Sequence, residues 1–431
     1  MANEYLNATI EKVRKVLPEA YEAAGKGVLY GLMQKAPAEK ITKTTNGLDF
    51  RIPMKMQRAG VFGKANLAGG SLMTGSKTNI KQMYQTYFTT QLAFELNMED
   101  VLTTQNQELA IVNAFNDAMK EAPTTYIHYL DIGLHAIGAA QGLVALSTSV
   151  TSGGGGTETV TCDSEYAANL VTEGMRLEIY SNDLGTHRTA AVPDDLPYVS
   201  TVDKTAGTFV ITNLGAIIPQ STDYYALPGV GTVPAWVNGL NYFHTTATTG
   251  NLLGLSRVTY KALLPNKVNA SSGALVPDHI WQLQQQIRQR NGNAPLPKLT
   301  GLLHDAQAYQ IGQLGLAISG WQRGASDKMI DVAPAIGDTV PLAGINFMKD
   351  VHASKTKVHL LDLSEWGRVE LFPKDFFKVP GDGTYIHLKR AATTAAATFA
   401  IQFWMIASEN YYCAKQSTGG FIHSLAIPSG H

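Results

Sequence analysis

Three residues in the first third of the chain have the types and spacing to share a ligand. His128, Asp131 and His135 stand at i, i+3 and i+7, which puts two imidazoles and a carboxylate on one face of a helix, a donor set that holds a divalent metal if a fourth ligand approaches. The same residues also close a longer polar series. Asn113, Asp117, Lys120, Thr124, His128, Asp131 and His135 follow one another at steps of 4, 3, 4, 4, 3 and 4, so a solvated helix face accounts for them without an ion, and neither metal nor cofactor is expected. Other catalytic signatures are missing. Gly153 to Gly156 continues as Thr-Glu-Thr where a phosphate-binding loop needs Lys and Ser or Thr, so it reads as a linker. The sequence holds no nucleophile elbow, no HExxH pair and no GxGxxG after a strand. His304-Asp305 reads as a helix start rather than a dyad, and no catalytic residue is assigned.

The element that would position the trio is a single long helix from Thr104 to Gly138. Opposite the polar series runs an apolar one, Ile111, Phe115, Ala118, Ala122, Tyr126, Tyr129 and Ile137, with Gly133 filling one place, and both stay in phase through Pro123. Thr104 with Gln107 has the form of a capping box, and Gly138 is a stop. Such a helix would be about 50 Å long, against about 12 residues for an ordinary one. It reads as a spine, kinked where Pro123 removes a backbone donor.

The rest of the chain is strand and turn. At 431 residues and 45% hydrophobic content it can bury a sizeable core in two or three domains. Net charge is -1, which excludes a generally basic nucleic-acid binder, but the charge is unevenly placed: residues 1–81 carry about +7 and the remainder about -8. That polarity suits head-to-tail contact between copies. Cys162 and Cys413 are too few for a disulfide framework and fit a reducing compartment. No signal peptide and no membrane span is read, so the expected place of folding is the cytosol.

Residues 1–46 read as a helical arm, broken at Pro18. Residues 47–96 read as an extended hairpin: Leu48, Phe50, Ile52 and Met54 alternate with polar residues, and a second strand runs from Met83 to Leu96. Between them the segment from Ala59 to Lys81 has five glycines and no acidic residue. An isolated two-stranded arm is marginal in water and needs a surface to lie on. The residues expected to meet a neighbouring subunit are Arg58, Val61, Phe62, Lys64, Leu67, Leu72, Met73, Lys77 and Lys81. Residues 97–152 are assigned to the spine and the start of its domain. Residues 157–233 are assigned to an inserted β-barrel or sandwich, with strands at Met175–Tyr180, Tyr198–Val202 and Thr208–Leu214 and turns at Asn182–Gly185 and Asp203–Gly207. Residues 234–372 form a mixed α/β part, with helices at Pro277–Arg290 and His304–Leu316. Residues 373–431 supply strands returning to both earlier parts. The fold class is α+β.

This order of parts resembles the major capsid proteins of tailed bacteriophages, the Hong Kong 97-type fold. The local phrases Glu173-Gly-Met-Arg-Leu-Glu-Ile, Gly207-Thr-Phe-Val-Ile and Leu253-Gly-Leu-Ser-Arg257 are similar to those of shell proteins with an inserted β-domain, and the likeness runs from about Glu4 to Leu425. The resemblance implies that the hairpin is the extended loop laid across an adjacent subunit, that spine and strands form a peripheral domain, and that the later α/β part is axial. It implies a non-enzymatic homo-oligomer of pentamers and hexamers in an icosahedral shell around double-stranded DNA, assembled in the bacterial host cytoplasm and ending in the virion. Implied partners are a separate scaffolding protein, since only some forty residues precede the hairpin, a portal, non-specifically contacted DNA and optionally a decoration protein. Two other readings stay open: an encapsulin-type nanocompartment of the same fold, and a cytosolic enzyme with a β-rich accessory domain.

Overall fold

A computed structural model describes residues 28–34, 38–40, 49–57, 79–97, 107–137, 142–154, 156–182, 184, 186–189, 196–215, 217–229, 236–292, 295–312, 339–342, 344–378, 385, 387–390 and 397–429. The chain is mixed α+β and mostly sheet. After an arm helix at Val28–Gln34 come β1 (Ala38–Lys40), β2 (Asp49–Gln57), β3 (Asn79–Thr86) and β4 (Phe88–Asn97), then the spine helix, Gln107–His135, with Pro123 inside it. The capping pair at Thr104 and the stop at Gly138 lie outside the described residues.

β2 and β3 pair antiparallel, with Ile52 opposite Met83 and Met54 opposite Lys81, and form a two-stranded sheet of their own. The expected single strand from Met83 to Leu96 is two strands in two sheets. Tyr87 separates them, and β4 pairs instead along β20 (Ala397–Cys413), Phe94 facing Phe403 and Thr89 facing Ser408. The sequence concealed the break because both halves alternate and both are rich in aromatics.

The seventeen residues of β20 span about 55 Å at a strand's rise, roughly matching the spine's own 29 residues at about 43 Å. β18 (Trp366–Phe376) and β19 (His387–Arg390) share its other edge, and β1 pairs parallel with β18. β18 runs through residue 372, so the boundary expected there falls inside a strand. One apolar cluster joins this sheet to the arm helix, the hairpin base and the spine through Leu29, Tyr30, Ile52, Met83, Tyr126, Leu130, Trp366, Phe403 and Tyr411. Within the sheet Lys374 and Glu409 form a buried pair at 2.9 Å, which holds the two strands in register more than it adds stability, because desolvation offsets much of the attraction.

Six strands follow the spine: β5 (Leu143–Gly154), β6 (Thr157–Cys162), β7 (Glu178–Tyr180), β8 (Tyr198–Asp203), β9 (Thr208–Thr212) and β10 (Tyr224–Ala226), in the spatial order β7-β10-β5-β6-β9-β8. The path curls back on itself. Gly174 and Leu177, just ahead of β7, donate to the carbonyls of Val199 and Pro197 at 2.8 and 3.0 Å, and Val199 returns a bond to Met175 at 2.9 Å. The glycine run at 153–156 is therefore no linker. It is the turn of the β5–β6 hairpin, with Gly154 opposite Thr157 and both Gly154 and Gly156 at positive φ, the region glycine enters without a Cβ penalty. The module begins at Leu143, and the 157–233 assignment omits a central strand. Of the Met175–Tyr180 run only the last three residues are strand.

The remaining part holds β11 (Asn251–Leu252), β12 (Leu255–Ser256), β13 (Asn266–Asn269), β14 (Thr300–Leu303), β15 (Thr339–Leu342), β16 (Ile345–Lys349), β17 (Val358–Leu361) and β21 (Gly420–His423). Apart from the small β11–β12 pair these make a mixed sheet in the order β13-β21-β17-β14-β16-β15. The helix Pro277–Arg290 packs on it through Ile280, Leu283 and Ile287, the face expected from their spacing. Pro277 opens that helix where its missing N–H costs nothing, and Asp278 at the start with Arg288 and Arg290 at the end complement the dipole. A second helix covers 305–312, led by His304, whose Nδ1 accepts the Ala306 amide at 3.0 Å as a cap.

Candidate functional site

Of the expected ligand trio Asp131 and His135 are buried, and His128 is half-buried. From Leu130 to Ile137 every residue of the spine is buried, because the helix end is enclosed between the β-module and the turn after β16. Asp131 Oδ1 accepts the Tyr30 amide of the arm helix at 2.8 Å, satisfying an otherwise orphaned donor of that helix's first turn. Its Oδ2 lies 2.9 Å from His352 Nδ1. His135 Nε2 lies 2.9 Å from Asp350 Oδ2, and Asp350 Oδ1 accepts the His352 amide at 2.9 Å. Two carboxylates and two imidazoles thus interlock across the spine, the arm and the β16 turn. His128 lies beside them, its ring centroid 5.4 Å from that of His352.

The charges here are set by position. Burial alone would lower the affinity of His135 for a proton, but the charge and hydrogen bond of Asp350 outweigh it and hold the imidazole above its usual range. Burial would raise Asp350; His135 and then His352 instead hold it well below the carboxylate range. His128 is lowered, by burial and then by His352. The sequence pattern found the helix face and missed Asp350 and His352, whose Asp-x-His spacing at a strand end was the available signal.

Gly133 explains how the module sits against the spine. A Cβ there would lie 2.0 Å from Trp236 Nε1, so the indole packs directly on the helix backbone, and the place in the apolar stripe had to be empty. Ile132 and Ile137 enter the module's own core with Tyr166, Tyr180, Phe209 and Tyr225.

A second histidine pair lies on the mixed sheet. His244 Nδ1 and His359 Nδ1 are 3.0 Å apart, with rings stacked against each other and on Phe421. Burial pushes His244 down to about 3 and His359 well below its ordinary value, so both are neutral at pH 7, one donating and one accepting. Burial also pushes both thiols, Cys162 and Cys413, up to about 12, far from the range of a reactive thiolate.

Of the residues expected to meet a neighbour, Arg58, Val61, Phe62, Lys64, Leu67, Leu72, Met73 and Lys77 lie outside the described residues. Lys81 lies in β3 and is exposed. The hairpin base is described. Its inner face, Ile52, Met54, Met83 and Gln85, is buried, while Ile80 is 58% and Tyr84 44% exposed on the outer face, where Arg51 covers the Tyr84 ring at 5.6 Å. Beneath the base a cleft of about 880 Å³ runs between Pro53 and Met54 and the residues around β13, walled by Lys261, Lys267, Arg290 and Lys415 with Glu365 as the acidic member. Arg290 is spent on structure there, donating to the carbonyls of Leu264 and Lys261 at 2.6 and 3.0 Å. Among the described residues no helix is long and apolar enough to cross a membrane.

No family model matches the sequence, and no curated protein matches it. Among solved structures the chain is similar to the capsid asymmetric unit of cyanophage A-1(L), at 12% identity and a TM-score of 0.49, with 93% of each chain covered. It is similar to a virus-like particle from Pyrococcus furiosus at 8% identity and 0.39, covering 96% of this chain and 99% of that one. The mature capsid of bacteriophage PhiM1 aligns at 8% identity and 0.39, over 91% of this chain and 87% of that one.

Proposed function

We propose that the chain is the major capsid protein of a tailed bacteriophage, with the Hong Kong 97-type fold, and that it assembles as pentamers and hexamers into an icosahedral shell around double-stranded DNA. The observation that carries this reading is the hairpin. Among the described residues β2 and β3 form a two-stranded sheet of their own, held to the rest of the subunit by the Tyr84 amide on the Leu253 carbonyl at 3.0 Å; they bury one face at their base and leave Ile80 and Tyr84 exposed on the other. The segment that follows outward is glycine-rich, basic and without an acidic residue, so within one subunit it has little to bury. Laid on the acidic remainder of a second copy, Val61, Phe62, Leu67, Leu72 and Met73 gain an apolar bed and Arg58, Lys64, Lys77 and Lys81 gain opposite charge. Exposed ion pairs contribute only about 0 to 1 kcal/mol each, so apolar contact repeated over many copies supplies most of the strength.

On this reading the spine and the β20 sheet form the peripheral domain, the mixed sheet is axial, and the β-module stands on the shell exterior. A separate scaffolding protein and a portal are the expected assembly partners, and the virion is the site of action. Electron microscopy of the expressed protein tests the proposal. Capsomers or closed shells without catalytic turnover are expected, and a stable monomer at micromolar concentration would overturn it. A nanocompartment is the second reading, favoured by the likeness to the Pyrococcus furiosus particle only as far as chain path goes. Particles from infected cells that contain double-stranded DNA exclude it, and particles holding a cargo protein in place of nucleic acid establish it.

A further inference from the structure

We propose that Asp131, Asp350 and His352 form a binding site for one divalent transition-metal ion of the zinc class, which fastens the spine helix to the turn after β16. One oxygen from each carboxylate and one ring nitrogen of His352 lie within 4.8 Å of one another. His352 Nδ1 is 2.9 Å from Asp131 Oδ2 and 3.9 Å from Asp350 Oδ1. Both of these edges are short enough for one ion, at bonds of about 2.0 to 2.2 Å, to reach His352 and either carboxylate together.

The surrounding bonds are arranged as a metal site's outer partners are. Each carboxylate has its other oxygen held from outside the triangle: Asp131 Oδ1 by the Tyr30 amide at 2.8 Å, and Asp350 Oδ2 by His135 Nε2 at 2.9 Å. Asp131 Oδ2 and Asp350 Oδ1 are left turned toward His352. An imidazole and two carboxylates suit zinc and its neighbours better than calcium or magnesium, which take oxygen alone. In the loaded form His352 carries its proton on Nε2. His128, one turn before Asp131 and half-buried, lies beside the group with its ring centroid 5.4 Å from that of His352 and stands outside the three-residue set. The inference stands apart from shell formation, because every group belongs to one subunit.

The test uses the full chain, stripped with a chelator and titrated at pH 7.5 with Zn²⁺, with Co²⁺ as a spectroscopic probe and Mg²⁺ as control. One saturable Zn²⁺ per chain is expected, with a rise in unfolding temperature that Mg²⁺ does not give and a visible Co²⁺ absorption band. His352→Gln and Asp350→Asn should each weaken Zn²⁺ about 100-fold and abolish the band. His423→Ala, remote in the axial sheet, should change neither. Absence of saturable binding in the unaltered chain overturns the proposal even if neither variant folds. So does a folded His352→Gln or Asp350→Asn that binds as the parent does.

Discussion

The six-stranded β-module and the hairpin base are both antiparallel, yet they bury themselves in opposite ways. The module's six strands return on one another and enclose Val160, Leu177, Phe209, Ile211 and Tyr225, each at most 1% exposed, with Phe209 and Tyr225 edge to face at 5.2 Å. It borrows Ile132 and Ile137 from the end of the spine, with Tyr129 and Trp236 packed against it. The hairpin has two strands, so neither of its faces can be closed by the other, and it covers one of them only by lying on the subunit's main core. Strand count decides the difference. A sheet that curls supplies its own interior; a pair of strands must be given one, and past its base the subunit supplies none among the described residues.

Four perturbations sharpen this contrast, beginning with the largest effect. Phe209→Ala empties the centre of the module and should cost about 3 to 5 kcal/mol in denaturant unfolding. A loss below about 1 kcal/mol would mean that the module's interior is not what stabilises it. Gly133→Ala forces a methyl into the Trp236 ring and should cost about 1 to 3 kcal/mol, where the same change in an exposed helix would stabilise by up to about 1. Thermal unfolding reads the sign directly, and a stabilised variant would show that the indole can leave the helix without consequence.

The third perturbation is pH. His244 and His359 have folded values below the unfolded value of about 6.5, so the unfolded chain binds more protons beneath that point, and stability must fall as pH falls from about 6.5 toward about 3. His244 contributes about 1 kcal/mol per pH unit over that window, and His359 acts in the same direction. Denaturant midpoints between pH 7 and 4 should drop, and His359→Gln should lessen the slope; an equal slope in the variant would remove the pair from the account. The smallest effect is expected at Ile80, on the hairpin's uncovered face. Ile80→Ser should leave subunit stability within about 0.5 kcal/mol while reducing particle yield, and a large loss of subunit stability would mean that the face is covered within the subunit.

How much of this could be read beforehand depends on whether a contact is local. The spine helix, the helix at Pro277–Arg290 and the strands at Tyr198–Asp203 and Thr208–Thr212 follow from periodicity, since residues a few places apart decide them. Sheet membership does not. Nothing near Tyr87 marks the point at which the chain leaves β2's partner for β20, more than three hundred residues away. Gly153 to Gly156 carries the composition of a linker and of a hairpin turn alike, and only β6 (Thr157–Cys162), pairing back onto Leu143–Gly154, distinguishes them. The polar stripe of the spine was legible as a stripe, but the burial of its last two members, Asp131 and His135, was not, because Asp350 and His352 come from a distant turn. Gly133 stood out as an irregularity in the apolar series and acquired a reason only when Trp236 was placed upon it.

The central claim is that the basic, glycine-rich segment between β2 and β3 acts between subunits and not within one. Replacing Gly60 to Thr78 by a short Gly-Ser turn, then measuring subunit unfolding and particle yield on the same preparation, tests it most directly. The account predicts an unfolding transition close to that of the unaltered subunit, with particles absent or breaking on dilution. A shortened chain that fails to fold as a monomer, or one that still yields intact shells, would contradict it.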